Sequence, residues 1–404
     1  MIFDSESVFE ENVITVLKQH GWKDGVLRYP TERDLLDNWK GILYRNNNDI
    51  DRLGKYPLTD GEMTQIIEQI ETLRTPLALN SFVNGRTVSI TRDNKEDVAH
   101  FGKEVSLYIY DRKEIAGGKS TYQIAQQPVY PAKNKMLNSR RGDLVLLING
   151  MPLIHIELKK SGIPVSQATN QIEKYAHEGV FTGLFRLVQI FVAMNPDDAV
   201  YFANPGVDKF NPSYYFHWAD YNNEPICGGQ NPGKDEWKLF IGGTSGTAGL
   251  LSIPMAHQLI GFYTIADSAD GCLKVLRSYQ YIAANAISDV VRKCDWEQRP
   301  ATPGRPGGYV WHTTGSGKTM TSFKSAQLIA DSHDADKVVF LMDRIELGTQ
   351  SLKEYRSFAD SETEVQGTEN TGVLRDKLNS TNVNDTLIVT SIQKMSNVKA
   401  GERG

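Results

Sequence analysis

Residues 140–160 read RRGDLVLLINGMPLIHIELKK, and this stretch decides the fold of the first part of the chain. Two apolar runs, residues 144–148 and 153–158, flank Asn149-Gly150, a dipeptide strongly associated with tight hairpin turns. Both faces of these runs are apolar, which indicates strands that are covered on both sides. We therefore predict a β-hairpin at the centre of a sheet.

The segments around the hairpin predict further strands. Residues 86–130 are strand-rich, with alternating polarity in TVSIT and VSLYIYD and turn residues between them. After the hairpin, VQIFVAMN at residues 188–195 is typical of a buried strand. Together these segments predict a mixed sheet with flanking helices.

Two of those helices carry recognisable start or stop signals. In SESVFEENVITVLKQHGW, Ser7 followed three residues later by Glu10 is a capping-box pattern ahead of apolar residues at helical spacing. In SQATNQIEKYAHEG, Ser166 is the expected N-cap and Gly179 the expected C-terminal stop. We predict an amphipathic helix at each place.

The length of 404 residues exceeds what one hydrophobic core usually organises, so we predict two domains. Composition shifts to Gly, Pro, Asn and Lys around residues 228–250, which indicates a connector. We place the boundary near residue 250, giving domains at 1–250 and 251–404. Beyond it lie helical patterns through Trp296 and then a strand, loop, helix, strand order of the βαβ kind.

Composition narrows the class of protein. The net charge is −5, so any contact with nucleic acid must come from local basic patches. The three cysteines form no CxxC pair, and no apolar run is long enough to span a membrane. We expect a cytoplasmic protein without a disulfide framework, structural zinc site or membrane span.

Two carboxylates and a lysine in the hairpin suit metal-dependent cleavage of a phosphodiester. Magnesium binds carboxylates plus water, and Asp143 and Glu157 lie near the open ends of the two strands, about 5 Å apart across the pair. Lys159 follows Glu157 by two residues and shares its face. Its expected role is to hold the attacking water and to offset charge that develops on the phosphate.

The register of the hairpin raises a difficulty for this pair. A strict two-residue turn sets Asp143 opposite Ile156, which directs Glu157 to the other face. Either Met151 joins the turn or one strand contains a bulge. We predict one of these two, without choosing between them.

The quoted string resembles the amino-terminal nuclease of type I restriction motor subunits, which has a restriction-endonuclease-like fold and a D…ExK site. The resemblance implies that Asp143, Glu157 and Lys159 are catalytic and that the two carboxylates bind Mg²⁺. Related nucleases often place a glutamate of the first helix near the metal. Glu6 and Glu10 both remain open for that position.

The resemblance extends over about residues 1–240 and includes a helix element of the form QxxxY. Gln171 and Tyr175 match it and, four residues apart on a helix, share a face. The resemblance implies that they support the site and contact DNA. Arg140 and Arg141 precede Asp143, and we expect them either to bind DNA phosphates or to be merely solvent-facing.

Residues 307–323, GGYVWHTTGSGKTMTSF, predict an apolar strand, a glycine-containing loop and a helix. Loop amides and a helix N-terminus surround a phosphate, while the lysine bridges phosphates and the threonine hydroxyl binds magnesium. His312 replaces the first glycine of the general pattern, and the loop at 312–319 resembles the TGSGKT variant of superfamily 2 helicases and translocases. The expected ATP-binding residues of the loop are Thr314, Gly315, Ser316, Gly317, Lys318 and Thr319.

Three further segments resemble helicase elements. Arg277 and Gln280 match an adenine-sensing element in which the glutamine reads the base, although the segment alone is an ordinary amphipathic helix. VVFLMDRIELGTQ and LIVTSIQKM each combine a buried strand with a polar loop end, which suits phosphate contacts without sequence preference. The matching positions are Asp343, Arg344, Thr390 and Gln393.

No DEAD-like acidic box occurs before Gly404. We expect this chain alone not to translocate DNA, and we interpret it as a truncated form of the start of a RecA-like superfamily 2 motor domain. Its implied substrate is double-stranded DNA, and its implied partners are the methyltransferase (M) and specificity (S) subunits of a type I restriction complex. The alternatives are a DNA-repair helicase-nuclease and a non-catalytic docking module.

Overall fold

The computed structural model describes residues 2–115, 117–131, 140–229, 235–293, 307–343, 345–359 and 364–398. The chain forms two compact units. The first comprises Met1–Ile265 with Cys272–Arg277, and the second comprises Ala266–Gly271 with Ser278–Gly404. Within the described ranges, no helix is both long enough and apolar enough to cross a membrane. The nuclease and ATPase domains placed at 1–250 and 251–404 stay predictions.

The first unit alternates helices with strands. Its helices are α1 (Glu6–Gln19), α2 (Glu32–Asn46), α3 (Asp60–Thr72), α4 (Pro76–Asn84), α5 (Val165–His177), α6 (Glu236–Gly242) and α7 (Met255–Gly261). Its larger sheet contains β1 (Val26–Arg28), β4 (Tyr122–Gln126), β5 (Leu144–Ile148), β6 (Met151–Leu158), β7 (Ile190–Met194) and β8 (Ala199–Ala203). The remaining strands are β2 (Thr87–Thr91), β3 (Glu104–Tyr108), β9 (Thr264–Asp267) and β10 (Cys272–Val275), which pair as β2–β3 and β9–β10; the last two residues of β9 are assigned to the second unit.

The predicted mixed sheet is confirmed. Its strand order is β1-β4-β5-β6-β7-β8, with β1/β4 and β6/β7 parallel and the other pairs antiparallel. The hairpin β5–β6 occupies the two central positions, and every residue of both strands is buried. Apolar side chains on both faces explain this position, because each face is covered by other elements of the unit.

The hairpin has a two-residue turn and a bulge. Asn149 and Gly150 both have positive φ, 52° and 84°, as a type I′ turn requires. Ile148 pairs with Met151, so the alternative in which Met151 joins the turn is wrong. The pairing then shifts by one residue between Leu146 and Leu147, which confirms the alternative of a bulged strand.

Both predicted helices exist, but their N-caps differ from the prediction. Ser5, not Ser7, caps α1, because Ser5 has extended backbone and its side chain accepts from Val8 N. Pro164, not Ser166, occupies the N-cap of α5, where the fixed φ of proline fits and its missing N–H costs nothing. Gly179 has φ 70° just beyond α5 and acts as the predicted stop.

The second unit contains a parallel sheet flanked by helices. Its strands β11 (Val338–Met342), β12 (Val365–Gly367) and β13 (Leu387–Ser391) lie in the order β11-β13-β12. Its helices are α8 (Ser278–Lys293), α9 (Lys318–Ser332), α10 (Ile345–Phe358), α11 (Thr371–Asn379) and α12 (Ile392–Ser396). Trp296, to which the helical pattern extended, lies outside the described residues.

Two strand predictions in the second unit need correction. Residues 309–311, expected as an apolar strand before the loop, adopt no strand, and Tyr309 and Trp311 are largely exposed. A single extended segment forms a stable strand only when a neighbour pairs with it, and no pairing of this segment exists among the described residues. β11 is less buried than expected, with Leu341 exposed, because it is an edge strand.

Candidate functional site

The bulge in β6 sets the two carboxylates of the hairpin on one face of the sheet. Leu144 pairs with Ile156, so the next position along each strand places Asp143 opposite Glu157. Glu157 also pairs with Ala193 of β7, whose side chain belongs to the apolar cluster beneath α5. The carboxylates therefore lie on the α5 face, at the end of the hairpin away from the turn.

Glu157 is a fully buried carboxylate without hydrogen-bond partners. Neither Oε1 nor Oε2 accepts a hydrogen bond among the described residues, although Lys159 Nζ lies 3.6 Å from Oε1 and His155 Nε2 lies 3.3 Å from Oε2. Burial raises the pKa of Glu157 to about 8, against the opposing effect of the Lys159 ammonium. A buried carboxylate with two free acceptor oxygens is a costly arrangement unless a cation or a proton compensates it.

Asp143 is partly buried and is held by the backbone of the opposite strand. Its Oδ2 accepts a hydrogen bond from Leu158 N at 2.6 Å. Burial, and then the nearby charge of Glu157, raise the pKa of Asp143 well above its ordinary value. The charge of Glu157 thus opposes the ionisation of Asp143, because a like charge nearby disfavours the charged form.

Lys159 lies beside this pair on the same strand. Its Nζ is 3.6 Å from Glu157 Oε1 and 3.6 Å from Glu6 Oε1, and it donates to the carbonyl of Leu158 at 2.9 Å. The side chain is 9% exposed, so the ammonium has limited contact with water. It supplies one positive charge next to the buried Glu157 and the partly buried Asp143.

Glu6 and Glu10 of α1, the two candidates for the glutamate near the metal, both approach the site. They lie at different ends of it. Glu6 lies next to Lys159, and its charge contributes to raising the pKa of Glu157. Glu10 is buried, and its charge contributes to raising the pKa of Asp143. Burial raises the pKa of Glu10 itself.

Two glutamines that the sequence analysis missed hold Glu10 in place. Gln126 donates to Glu10 Oε1 at 2.6 Å, and Gln127 donates to Oε1 at 3.3 Å and Oε2 at 3.2 Å. Gln127 has a positive φ of 47°, uncommon outside glycine, and its N–H donates to the carbonyl of Asp143. The available signal was the pair of amides at the end of β4.

Gln171 and Tyr175 share one face of α5, as predicted. Gln171 Nε2 donates to Tyr175 Oη at 2.6 Å, and Tyr175 Oη donates to the carbonyl of Arg141 at 2.9 Å. This chain of bonds fixes the backbone two residues before Asp143. The roles predicted for Gln171 and Tyr175 in catalysis and DNA contact stay predictions. Their support of the loop before Asp143 follows directly from these hydrogen bonds.

The two arginines before Asp143 have different surroundings. Arg140 donates to both carboxylate oxygens of Glu178, each at 2.8 Å, so its guanidinium is already paired. Arg141 lies over the ring of Tyr29, 5.9 Å from its centroid. Tyr29 is exposed and has a positive φ of 56°. Arg141 and Tyr29 therefore present a cation and an aromatic ring near the loop that carries Asp143.

The residues at this site suit a hard cation. Carboxylates with unfilled lone pairs are the ligands that Mg²⁺ prefers, and Glu157 has two such oxygens buried in the unit. Across the described part of the chain, no three His, Cys, Asp or Glu side chains are arranged to hold a metal ion. A cation between Asp143 and Glu157 would therefore complete its shell with water, backbone or phosphate oxygens.

The loop at residues 312–319, predicted to bind phosphate, contains two glycines with positive φ. Gly315 and Gly317 have φ of 79° and 77°, and α9 begins directly afterwards at Lys318. Lys318 Nζ donates to the carbonyl of Thr313 at 3.0 Å. The helix that the sequence predicted is confirmed, so the loop ends at a helix N-terminus, a favourable place for a phosphate.

Gln280 contacts the loop at residues 312–319. Its Nε2 lies 3.3 Å from the carbonyl oxygens of both Ser316 and Gly317 and donates to them, and Tyr279 Oη also donates to Ser316 O at 2.9 Å. α8 thus braces the loop through two side chains. Adenine recognition by Gln280 and nucleotide binding by Thr314 and Thr319 stay predictions.

The other predicted motor residues lie together where β11 and β13 end. Gln393 Nε2 donates to the carbonyl of Asp343 at 3.0 Å, and Thr390 Oγ1 accepts from Thr368 Oγ1 at 2.8 Å. Arg344 lies outside the described residues. The parallel pairing of Met342 with Ser391 brings these loop ends to one edge of the sheet.

Two family descriptions match the chain. "Type I restriction enzyme R protein N terminus" matches residues 4–210, and "SWI2/SNF2 ATPase" matches residues 279–403. The first match includes the hairpin and α5. The second includes α8, the phosphate-binding loop and the parallel sheet.

Three curated proteins with similar sequences are named as endonuclease subunits of type I restriction enzymes. The endonuclease subunit of type I restriction enzyme SsaAORF53P from Staphylococcus saprophyticus is 32% identical over 98% of this chain and 37% of its own length. The endonuclease subunit of SauMSSORF170P from Staphylococcus aureus is 32% identical over 99% of this chain and 38% of its own length. That of EcoprrI from Escherichia coli is 26% identical over 77% of this chain and 90% of its own length. The chain thus spans less than two fifths of the length of the first two.

Proposed function

This chain belongs to the family of type I restriction enzyme R proteins, and from that premise we propose that its first unit is a Mg²⁺-dependent DNA endonuclease with Asp143, Glu157 and Lys159 at its active site. The first unit then has a restriction-endonuclease-like fold. The second unit is the start of a RecA-like ATP-driven translocase, with 312–319 as its phosphate-binding loop.

The observation that carries the nuclease proposal is the bulge between Leu146 and Leu147. Without it, Asp143 would face Ile156, and the carboxylates would lie on opposite faces of the sheet. With it, the buried Glu157, the partly buried Asp143 and one lysine converge, and both carboxylate oxygens of Glu157 accept no hydrogen bond among the described residues. A bulge beside a catalytic position re-aims a side chain, and this one re-aims Glu157.

Each residue of the proposed site has its own role in phosphodiester cleavage. Asp143 and Glu157 present carboxyl oxygens at a position largely shielded from water, and a cation bound between them would lower both raised pKa values and ionise both groups. Magnesium, when bound, would polarise the scissile phosphate and lower the pKa of a water bound to it. Lys159, 3.6 Å from Glu157 Oε1, orients the attacking water and offsets charge that develops on the phosphate.

The second unit supplies nucleotide binding. The amides of Gly315 and Gly317 and the N-terminus of α9 face one phosphate, and Lys318 exchanges its bond to the Thr313 carbonyl for bonds to phosphate oxygens. Thr319 contributes a hydroxyl to Mg²⁺. In the whole subunit, ATP turnover would drive movement of double-stranded DNA toward the nuclease.

Membership of this family implies that the chain acts within a type I restriction complex in the cytoplasm. The R protein joins methyltransferase (M) and specificity (S) subunits and cuts double-stranded DNA away from the recognition site. Neither alternative fits as well. A repair helicase-nuclease would not carry the name shared by these relatives, and a docking module has no need of a buried Glu157 whose carboxylate oxygens accept no hydrogen bond among the described residues.

The deciding experiment is Mg²⁺ titration calorimetry of this chain with Asp143→Asn, Glu157→Gln and, as a matched control, Glu68→Gln on the exposed surface of α3. Nicking of supercoiled plasmid at high protein concentration is measured in parallel. We expect the two site variants to lose binding and nicking together, while Glu68→Gln retains both.

Equal Mg²⁺ binding by all four proteins would refute the metal site and favour the docking module. Co-purification of the tagged chain with a methyltransferase would separate a restriction complex from a repair enzyme.

A further inference from the structure

Arg141 lies on the face of the sheet that carries the proposed nuclease site. β4 pairs Gln126 with Leu144, and the bridge between Val129 and Arg141 keeps the same antiparallel register. Arg141 is therefore two positions before Asp143 on one extended stretch. The two side chains leave the sheet on the same face, with Cα atoms about 7 Å apart. A cation thus stands one step along the strand from the proposed metal ligands.

The guanidinium of Arg141 is available to a ligand. Arg141 is exposed and forms no hydrogen bond or ion pair among the residues that the structure describes, and its contact is with the ring of Tyr29. The adjacent Arg140 differs, because Glu178 accepts two hydrogen bonds from its guanidinium. Of the two arginines before Asp143, Arg141 is therefore the one whose charge no carboxylate offsets.

Backbone bonds hold Tyr29 in an unusual conformation beside Arg141. Its φ of 56° lies in the left-handed region, which residues other than glycine seldom adopt. The Tyr29 N–H donates to the carbonyl of Gln126 at 2.8 Å. The carbonyl of the next residue, Pro30, accepts from Val129 N at 2.9 Å. The chain is thus fixed on both sides of the tyrosine, as a strained residue requires, and strained residues concentrate at functional sites.

Burial of the ring gives little in return for this strained backbone. The Tyr29 side chain is 51% exposed, and the Arg141 Cζ lies over its ring, 5.9 Å from the centroid. An arginine can lie over an aromatic ring and still direct its N–H groups at a phosphate. The pair therefore presents an apolar ring and an unneutralised cation to solvent on the side of the proposed site.

We propose that Tyr29 and Arg141 bind the sugar–phosphate backbone of DNA beside the phosphate that is cleaved. Arg141 donates to a neighbouring phosphate, and the Tyr29 ring packs against the adjoining deoxyribose. Both contacts are to the backbone, so the pair positions the strand at Asp143 and Glu157 without reading its sequence. The proposal rests on the proposed nuclease function, which supplies the substrate.

The test is binding of a fluorescein-labelled DNA duplex by the full chain, measured by fluorescence anisotropy in EDTA between about 50 and 200 mM KCl. EDTA prevents metal-dependent cleavage and separates the measurement from the metal site. Arg141→Ala should weaken binding about tenfold, because a charge-assisted hydrogen bond is lost. It should also reduce the slope of log affinity against log salt by about 1. Duplexes of two unrelated sequences should show the same changes.

Lys55→Ala is the matched control for Arg141→Ala. Lys55 is an exposed cation on the loop between α2 and α3, and its Nζ lies over the ring of Tyr56, 5.4 Å from the centroid. Its removal changes the net charge equally and should leave the affinity and the slope close to those of the wild type. Arg141→Lys keeps the charge but loses the planar fork, so it should restore the slope and only part of the affinity.

Three substitutions of Tyr29 separate DNA contact from a structural role. Tyr29→Ala should weaken binding with an unchanged salt slope, because it removes an apolar contact and no charge. Tyr29→Phe keeps the ring and should retain most of the affinity. Tyr29→Gly should bind as weakly as Tyr29→Ala yet unfold at a higher urea concentration than Tyr29→Ala, since glycine adopts a φ of 56° without strain.

Three results overturn the proposal: no duplex binding by the wild type at the lowest salt, equal affinity and slope in Arg141→Ala and Lys55→Ala, or wild-type affinity in a folded Tyr29→Ala chain. Mg²⁺ calorimetry of Asp143→Asn judges the proposed function separately. If Asp143→Asn binds Mg²⁺ like the wild type, the nuclease assignment fails whatever the anisotropy shows. If it loses Mg²⁺ binding while the Tyr29 and Arg141 variants bind DNA normally, only the DNA contact is refuted.

Discussion

Glu157→Gln should stabilise the chain in the absence of metal, and the gain should grow with pH. A carboxyl group with a folded pKa of about 8 and an ordinary value of 4.5 favours folding only while it is protonated. Its contribution is fully present below pH 4.5 and is lost as the pH rises through 8. That loss amounts to about 1 kcal/mol at pH 5 and about 4 kcal/mol at pH 8.

Glutamine has nearly the same volume and no charge, so it removes this loss. The groups that share the site with Glu157 are Asp143, Lys159, Glu6 and His155. Asp143 takes up a proton when Glu157 loses its own, so part of the gain is shared between the two carboxyl groups. We expect Glu157→Gln to be more stable than the wild type by about 1–4 kcal/mol at pH 8 and by less than about 1 kcal/mol at pH 5.

The assay is urea unfolding in EDTA at the two pH values, followed by tryptophan fluorescence. Trp22, Trp39, Trp218 and Trp237 are all buried in the first unit and report on it. Glu68→Gln is the control and should show no dependence of its difference on pH. A Glu157→Gln chain that is less stable at pH 8, or that gains equally at both pH values, would refute the reasoning. Added Mg²⁺ should stabilise the wild type and not the variant.

Three further predictions concern other parts of the molecule. Gly150→Ala should cost about 1–3 kcal/mol, because φ is +84° there and the new Cβ would lie 2.9 Å from Trp39 Cα; an unchanged urea midpoint would contradict this. Tyr175→Phe should cost about 1 kcal/mol and reduce plasmid nicking, since it removes the bond to the Arg141 carbonyl; the idea fails if nicking is unaffected. Lys318→Ala should abolish binding of a fluorescent ATP analogue while the fluorescence-monitored unfolding of the first unit stays as in the wild type; retained binding counts against the loop assignment.

Local patterns predicted much of the first unit. The central hairpin followed from two apolar runs around Asn149-Gly150, and the stop of α5 followed from Gly179, because turns and helix ends depend on a few neighbouring residues. The N-caps were less well determined. Ser5 and Ser7 both suit that position, and only the backbone conformation decides between them.

Neighbouring elements decided what the local pattern left open. Residues 309–311 have the composition of a strand, yet a strand depends on a partner that local sequence does not specify. The sequence required an irregularity in the hairpin and left two forms of it open. Packing of both strands in the central sheet selected the bulge.

What the sequence determined by itself was the set of chemical groups: the D…ExK residues, the QxxxY pair and the glycine loop before Lys318, all fixed by short spacings along the chain. The tertiary structure alone decided what surrounds them. Gln126 and Gln127 contact Glu10, and Tyr130 contacts His155. The two residues of such a pair lie as many as 117 positions apart in the sequence. The burial that raises the pKa of Glu157 arises only when β4, β5, β6 and α5 pack together, and so does the contact between Glu157 and the His155 ring. Solvation and side-chain contacts are properties of the folded chain.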